Sequence, residues 1–255
     1  MAVALVTGAS SGIGRATAVR LLADGYQVVA TDLTPPGTYG PADSFLAIAA
    51  DASSFDDNAR MVAAAVERFG GLDAVVLNAG VTGAGPIEAF PLEEFDRIVQ
   101  VDLKGPAYGV RAALPALRAS AGPRSIVVTA STSGLGGDPS MWAYNAAKAG
   151  AVNLVRSLAM DLGPEGIRIN AVCPGPTVTA MTERLREATP AVASDLVAAI
   201  PMQRWGQAEE IAAAAAFLLS SQASFITGVA LPVDGGVTAT TGQFRPRPPT
   251  SIQPA

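Results

Sequence analysis

Short apolar runs alternate with longer helical stretches along most of this chain, and that alternation restricts its fold more than any other feature. Each run has the length of one strand, and each stretch between runs is long enough to cross back over a sheet. Because crossovers of this kind join parallel strands, the pattern predicts an α/β fold built on a parallel seven-stranded sheet. The predicted strands are residues 2–8, 27–33, 45–51, 74–80, 125–131, 168–174 and 229–235.

The stretches between the strands differ in character, and most of them read as helices. Helices are predicted for residues 12–24, 56–69, 92–120, 143–163, 180–199 and 207–220. The crossover after Asp32 is predicted to be a loop, because LTPPGTYGPADS (33–44) contains three prolines and two glycines. Residues 1–236 are predicted to form one domain, and residues 237–255 a proline-rich tail with little apolar surface to bury.

Composition excludes several classes of function. The 255 residues carry a net charge of −5 and no basic run ahead of the tail, so nucleic acid and anionic membrane are unsuitable partners. Apolar runs are too short to span a membrane, and MAVALVTG lacks the basic region of a signal peptide, so we expect a cytoplasmic protein. With no histidine and a single cysteine, Cys173, the usual ligands of a zinc site are missing, and we expect no metal.

A glycine-rich turn, TGASSGIG (7–14), follows the first predicted strand and opens the first predicted helix. Gly8, Gly12 and Gly14 allow the backbone to turn tightly and approach a pyrophosphate, while the helix N-terminus directs free N–H groups at the anion. Asp32 ends the second strand, where a carboxylate binds both ribose hydroxyls of adenosine and repels a 2′-phosphate. The pattern predicts a site for NAD in preference to NADP, the alternative being an ordinary turn followed by a solvated aspartate.

A second interpretation of the same turn is excluded. The letters GASSG (8–12) match the G-x-S-x-G elbow of serine hydrolases. That serine needs a histidine base, and this chain contains no histidine.

Tyr144 and Lys148 are four residues apart in a segment of helical composition, AYNAAKAGAVNLVRSLAMDL (143–162). Residues at this spacing share one helix face, so the ammonium can lie beside the phenol. Removing a hydride from a secondary alcohol requires a general base for the hydroxyl proton. A neighbouring cation favours the ionised form of a phenol, which suits Tyr144 to that role. The reversed pair, Lys104 and Tyr108, encloses a Gly-Pro dipeptide and is interpreted as structural.

Four motifs and three single residues together resemble one family in their order and spacing. They are TGASSGIG (7–14), NAG (78–80), CPG (173–175), VDGG (233–236), Ser131, Tyr144 and Lys148. From Ala2 to Gly236 the chain resembles a single-domain short-chain dehydrogenase/reductase. The resemblance implies a Rossmann-like, doubly wound sheet with helices on both faces, an NAD(P) cofactor and hydride transfer at a carbinol carbon. It also implies a homotetramer.

Two further catalytic residues follow from the resemblance. Ser131, at the end of the fifth strand, would donate a hydrogen bond to the substrate oxygen, the alternative being a capping serine. Asp102 stands in VDLKG where the family usually has asparagine, a residue that holds a water through its backbone carbonyl in a proton relay from the lysine. The aspartate can keep that contact, and its charge can stabilise Lys148 or alter the pH profile. We therefore expect Asp102→Asn to leave substantial activity, and a complete loss of turnover would reject this.

The resemblance also assigns residues to the cofactor. Asp51 and Ala52 are expected at the adenine, and residues 78–80 beside the adenosine ribose. Gly175, Thr177 and Thr179 are expected along the nicotinamide carboxamide, and capping or turn roles are the alternatives for all of these. The complete predicted cofactor set is Gly8, Ser10, Ser11, Gly12, Ile13, Gly14, Asp32, Leu33, Asp51, Ala52, Asn78, Ala79, Gly80, Tyr144, Lys148, Pro174, Gly175, Thr177 and Thr179.

The substrate is the least constrained part of the prediction. Residues 179–205 would form the lid over the substrate in this family, with an apolar lining or, equally, two amphipathic helices facing the core. The candidate lining residues are Met181, Leu185, Leu196, Val197, Ile200 and Met202. We expect an uncharged secondary alcohol or ketone, such as an alicyclic alcohol or diol. Two alternatives remain open: a 3-oxoacyl thioester reductase of the same family, and a catalytically silent NAD-sensing protein.

Overall fold

A computed structural model describes residues 1–240, apart from the side chains of residues 184–186 and 188. Its strands are β1 (Val3–Thr7), β2 (Gln27–Asp32), β3 (Phe45–Ala49), β4 (Ala74–Leu77), β5 (Ser125–Thr129), β6 (Arg168–Pro174), β7 (Thr177–Val178), β8 (Gly206–Gln207) and β9 (Ala230–Val233). Seven of them form one parallel sheet, as predicted. Its strand order is β3-β2-β1-β4-β5-β6-β9, and β7 pairs with β8 in a separate ladder. The strand order reverses between β1 and β4, which places a crevice at the carboxyl ends of these strands.

Helices cover both faces of the sheet, which confirms the doubly wound arrangement. Those of the described residues are α1 (Gly12–Ala23), α2 (Phe55–Phe69), α3 (Leu92–Val99), α4 (Gly105–Ala119), α5 (Trp142–Leu162), α6 (Ala180–Ala188), α7 (Pro190–Ala199) and α8 (Ala208–Leu219). α1 and α8 pack on one face, and α2, α4 and α5 on the other. Along β1, Ala4 and Val6 face the first group and Leu5 the second, because side chains alternate along a strand. Within residues 1–240, no helix combines the length and the apolar character needed to cross a membrane.

The structure divides the helix predicted for residues 92–120 into α3 and α4, joined by a π-helical turn at Gln100–Lys104. The N–H of Gly105 bonds to the carbonyl of Gln100, one residue farther back than in an α-helix. Pro106 follows directly and has no N–H with which to extend the ladder of hydrogen bonds. Turns of this kind widen a helix locally and frequently lie at functional sites.

The helix predicted for residues 180–199 is also divided, since α7 begins at Pro190. Proline suits the first position of a helix and cannot continue the helix before it. β7 precedes α6 and β8 follows α7, so their ladder joins the two ends of the predicted lid at residues 179–205. The sequence did not predict this ladder.

The remaining segments are the loop after Asp32 and the start of the predicted tail. Residues 33–44 contain no helix, which confirms the loop predicted after Asp32. Residues 237–239, at the start of the predicted tail, form a short 3-10 turn. Residues 241–255 lie outside the described part of the chain. The domain boundary at residue 236 stays a prediction.

Candidate active site

The predicted catalytic residues converge at the carboxyl end of β5. Ser131 follows β5 after one intervening residue, Tyr144 and Lys148 lie on the first turns of α5, and Asp102 lies in the π-helical turn. Lys148 is the centre of the group and is only 4% exposed. Its Nζ donates to the carbonyl of Thr129 at 3.0 Å, forms an ion pair with Asp102 Oδ1 at 3.0 Å, and lies 5.6 Å from the centre of the Tyr144 ring.

Asp102 is fully buried, and its carboxylate is held from two sides. Besides Lys148, the backbone N–H of Val81 donates to both carboxylate oxygens, at 3.2 and 3.3 Å. Gly80 makes this approach possible, because a Cβ at that position would lie 2.7 Å from Asp102 Oδ1 and 3.3 Å from Lys148 Nζ. The aspartate that departs from the family pattern is thus the direct partner of the candidate catalytic lysine.

Burial and charge act together on this pair. Burial raises the pKa of Asp102, while Lys148 and the Val81 N–H act in the opposite direction. Burial also disfavours the charged form of Lys148, but the Asp102 carboxylate, with a further contribution from Tyr144, holds the pKa of Lys148 above its ordinary value. The lysine is therefore an ammonium at neutral pH, and its charge is balanced by a carboxylate at hydrogen-bond distance.

Ser131 is buried, and its hydroxyl has a fixed orientation. Its Oγ accepts a hydrogen bond from the N–H of Ser133 at 3.1 Å. The Ser133 hydroxyl in turn donates to Asp138 Oδ2 at 2.5 Å. Since the bond to Ser131 uses an oxygen lone pair, the Ser131 proton is available to a substrate oxygen. The capping alternative is observed as well, and it is compatible with that donation.

The glycine turn has the geometry of an anion cradle. Gly8 and Gly12 have positive φ angles of 65° and 52°, and a Cβ on Gly14 would lie 2.1 Å from the Gly8 carbonyl oxygen. α1 begins within the turn, at Gly12, and the side chain of Ser11 makes no capping hydrogen bond to its first N–H groups. Those N–H groups point out of the helix and are available to a negatively charged ligand.

Asp32 joins the end of β2 to this cradle. Its carboxylate accepts from Ser10 N at 3.0 Å and from Leu33 N at 2.8 Å. The loop after Asp32 adds a contact that sequence reasoning missed, because the Tyr39 hydroxyl donates to the Ala9 carbonyl at 2.9 Å. The proline-rich crossover therefore stabilises the glycine turn through a hydrogen bond to its backbone.

The predicted NAG segment is fixed by Thr7, a second residue that sequence reasoning missed. The N–H groups of Asn78 and Ala79 donate to Thr7 Oγ1 at 3.0 and 3.1 Å. The Asn78 side chain reaches back to the carbonyls of Thr7 and Gly8 at 3.1 and 3.3 Å. The only signal in the sequence was the position of Thr7 as the first residue of the glycine-rich turn.

The comparisons with known proteins agree with this geometry. A family model described as enoyl-(acyl carrier protein) reductase matches residues 8–238. The chain belongs to the short-chain dehydrogenase/reductase family. Members of this family are oxidoreductases, and so is this protein.

Two family members illustrate the similarity. Levodione reductase of Leifsonia aquatica is 38% identical over 252 residues, which cover 93% of this chain and 94% of that protein. Meso-2,3-butanediol dehydrogenase of Serratia marcescens is 39% identical over 246 residues, which cover 94% and 96%. A crystal structure of levodione reductase matches with a TM-score of 0.86 at 36% identity, covering 93% of this chain and 98% of that one.

Family members use a nicotinamide dinucleotide, and the described residues fit one. The uncapped N-terminus of α1 can receive an anion, and a Cβ on Gly12 would lie 3.2 Å from Thr179, so the turn and the CPG side of the crevice are close. The predicted residues on that side lie together: Pro174 ends β6, and the Thr177 hydroxyl donates to the Gly175 carbonyl at 2.9 Å. Ile13, in the first turn of α1, is half-buried.

The two residues predicted at the adenine, Asp51 and Ala52, form hydrogen bonds within the protein. The carboxylate of Asp51 accepts from the N–H and hydroxyl of Ser53, at 2.8 and 2.7 Å. The carbonyl of Ala52 accepts from the side chain of Asn58 at 2.9 Å. Asp51 thus makes the capping contacts that were its alternative interpretation, and a role at the adenine stays a prediction.

The candidate lining residues of the lid divide into two groups. Ile200 is buried and packs against Gly235, so it belongs to the core. Met181 and Met202 are 49% and 60% exposed, and Leu196 and Val197 are half-buried. The side chain of Leu185 lies outside the described part of the chain.

Proposed function

We propose that this protein is an NAD-dependent dehydrogenase that transfers a hydride between a secondary alcohol and NAD, with Tyr144 as the general acid/base. The observation that carries the proposal is the position of Lys148. Its buried ammonium lies 5.6 Å from the centre of the Tyr144 ring and bonds to the end of β5, the strand that Ser131 follows. A phenol, a cation and a hydroxyl donor therefore share one side of the crevice.

Each of the three residues has a distinct task in the proposed reaction. Ser131 donates its proton to the substrate oxygen and holds that oxygen towards Tyr144. Tyr144 takes the hydroxyl proton in the direction of oxidation and returns it in the direction of reduction. Lys148 stabilises the phenolate by its charge. Bound NAD supplies the acceptor for the hydride.

The preference for NAD over NADP rests on Asp32. Its carboxylate lies at the end of β2, fixed by hydrogen bonds from Ser10 N and Leu33 N. A fixed negative charge at this position attracts ribose hydroxyls and repels a 2′-phosphate. For the residues that follow β4, we propose that Asn78, Ala79 and Gly80 lie beside the adenosine ribose of the same cofactor.

The substrate proposal is a small secondary alcohol or diol, or the corresponding ketone. Support comes from the family members named for levodione and for meso-2,3-butanediol, which align over nearly the whole chain. The main alternative is a 3-oxoacyl thioester reductase, since the matching family model is described by an acyl carrier protein substrate. Cofactor preference separates the two, because the family's thioester reductases usually take NADPH.

A panel of alcohols, diols and ketones, assayed with NAD and NADP at the nicotinamide absorbance, tests the proposal. We expect turnover of an uncharged secondary alcohol with a higher kcat/KM for NAD than for NADP. Turnover confined to 3-oxoacyl thioesters and NADPH would contradict it. Binding of NAD without turnover of any member of the panel would favour the NAD-sensing alternative.

The proposal includes a cytoplasmic homotetramer that contacts its copies through α4 and α5. One supporting observation is Met160 on α5, a large apolar side chain that is 79% exposed in the single chain. Light scattering of the purified protein tests the assembly, and we expect the mass of four chains.

A further inference from the structure

The side chain of Asp102 has a position that the family resemblance does not explain. The resemblance gives this residue a role through its backbone carbonyl only. In the structure its carboxylate is fully buried and lies 3.0 Å from Lys148 Nζ. Two full charges in contact inside a protein strongly affect each other's protonation and orientation.

The π-helical turn delivers the carboxylate to this place. Gln100–Lys104 carries Asp102 towards α5, and Gly80 leaves the space that the carboxylate oxygen occupies. The Val81 N–H donates to both oxygens of the carboxylate. The π-helical turn and residues 80–81 therefore hold the aspartate against the lysine.

We infer that Asp102 is a positioning residue whose carboxylate sets the charge and orientation of Lys148, and through Lys148 the pH range in which the site works. The inference rests on the proposed function for its effect on turnover. The protonation of Lys148 in the folded protein can be measured whether or not the proposed function is correct. This role of the Asp102 side chain is separate from the water-holding role that the family resemblance implies for its backbone carbonyl.

The geometry of Lys148 explains the orienting effect. An ammonium has three N–H donors. The Thr129 carbonyl and the Asp102 carboxylate each accept one of them at 3.0 Å. These two fixed acceptors leave one donor for the crevice, on the side of the Tyr144 ring.

The charges around the pair determine the direction of the effect on pH. Lys148 is faced by Asp102 from the π-helical turn, by Tyr144 from its own helix and by Cys173 from β6, and Arg97 on α3 acts on Asp102. Burial raises the pKa of Cys173 to about 11, so that thiol is neutral near pH 7. Among the described residues, Asp102 is therefore the one carboxylate that offsets the ammonium directly. Without it, Lys148 would present an unbalanced positive charge to the crevice, and an unbalanced positive charge favours the ionised form of an acid beside it.

The first experiment compares pH profiles of alcohol oxidation for the wild type and Asp102→Asn. We expect the acid limb of the variant to move down by about one pH unit, the lower end of the effect of one adjacent charge. Asp96→Asn, which removes an exposed carboxylate from α3, serves as the matched control and is expected to leave the limb in place. A structural role alone would lower thermal stability without moving the limb, so coincident limbs overturn the inference.

The second experiment needs no turnover, and its deciding measurement is made on the wild type. The chain contains two lysines, Lys104 and Lys148, so NMR of protein labelled with 13C-lysine resolves both, and Lys104→Arg assigns them. In the wild type we expect Lys148 to lose its proton above the ordinary lysine value of 10.5, and in Asp102→Asn at a lower pH. A wild-type Lys148 that titrates below the ordinary value overturns the inference, even if Asp102→Asn does not fold.

The two experiments separate the inference from the proposed function. A wild-type protein that turns over no alcohol with NAD defeats the proposed function, while the Lys148 titration still decides the ion pair. An active wild type whose variant keeps both the pH profile and the Lys148 titration defeats the inference alone.

Discussion

Tyr144 is the residue on which turnover depends most directly. In Tyr144→Phe the ring remains but the proton carrier is lost, so we expect kcat to fall at least about 100-fold. NAD affinity, measured by fluorescence titration, is expected to persist. Tyr108→Phe removes the same oxygen from a ring packed against Phe55 and should keep full activity. A Tyr144→Phe variant as active as the wild type would favour the NAD-sensing alternative.

Asp32 is expected to control the choice between the two dinucleotides. We expect Asp32→Ala to lower the NAD-to-NADP ratio of kcat/KM at least about tenfold, because a hydrogen bond to a charged group contributes about 1.5–3 kcal/mol. Initial rates with both cofactors measure the ratio. Asp43→Ala, at an exposed position in the following loop, provides the control. An unchanged ratio would remove Asp32 from the cofactor site.

Candidate site residues could be predicted where they contribute a side chain of a type that is rare in this chain. Tyr144 and Lys148 share a helix face at a spacing visible in the sequence, and the structure brings them together. Thr129 could not be predicted in the same way, because it contributes a backbone carbonyl and every residue has one. The same holds for Val81, whose N–H supports Asp102.

The junction between the predicted lid and α8 depends on a charged contact. Glu210 pairs with Arg204 at 2.6 Å and accepts from the N–H of Gln207 at 2.8 Å. The hydrogen bond from Arg204, aided by that N–H, lowers the pKa of Glu210 from 4.5 to about 2. Because the pKa is lower in the folded state, this stabilisation is present above pH 4.5 and is lost as the pH falls towards 2.

We therefore expect Glu210→Gln to unfold at lower urea concentration than the wild type at pH 7, with a difference that shrinks as the pH falls from 4.5 towards 2. The substitution removes the charge and keeps the shape. Glu209→Gln, at the neighbouring position of α8, is the control. A difference that stays constant across this range would show that the charge of Glu210 does not stabilise the junction.

Helices and strands were predicted where the hydrophobic periodicity of the sequence continues. Divisions and short ladders were missed where they depend on a local contact that leaves no mark on that periodicity. The pattern over residues 92–120 is helical throughout, and its interruption depends on the bond from Gly105 N to the Gln100 carbonyl. The β7–β8 ladder consists of two residue pairs, too few to produce an alternating pattern. Pro190 was the available signal for the division between α6 and α7.

At the scale of the whole molecule, the sheet separates two apolar cores. Leu21 belongs to the core under α1 and α8, Leu117 to the core under α2, α4 and α5, and both are fully buried. We expect Leu21→Ala and Leu117→Ala each to lower the free energy of unfolding by about 2–5 kcal/mol. In the double variant the losses should add to within about 0.5 kcal/mol, because the two side chains lie on opposite faces.

Urea unfolding followed by circular dichroism measures the three free energies. Val19→Ala, at an exposed position of α1, controls for the effect of truncation outside the core. A double variant that loses markedly less than the sum would mean that the two cores rearrange together.

The fold class was predictable because burial on both faces leaves a continuous apolar run for each strand, and seven such runs are visible. The substrate was not predictable from the candidate lining residues, because residues with similar sequence patterns differ in burial. Ile200 belongs to the core, while Met181 and Met202 are half-exposed. Apolar residues in amphipathic helices look the same whether they face a core or a ligand.

The β7–β8 ladder has a consequence for how this protein can diverge. It fixes the two ends of residues 179–205 side by side, next to the glycine turn and outside the seven-stranded sheet. Because β7 and β8 pair with each other and not with the seven-stranded sheet, we expect changes between β7 and the core residue Ile200 to leave the register of the sheet in place. If the segment covers the substrate as we propose, exchanging it between homologues should change substrate choice and leave the residues around Lys148 in place.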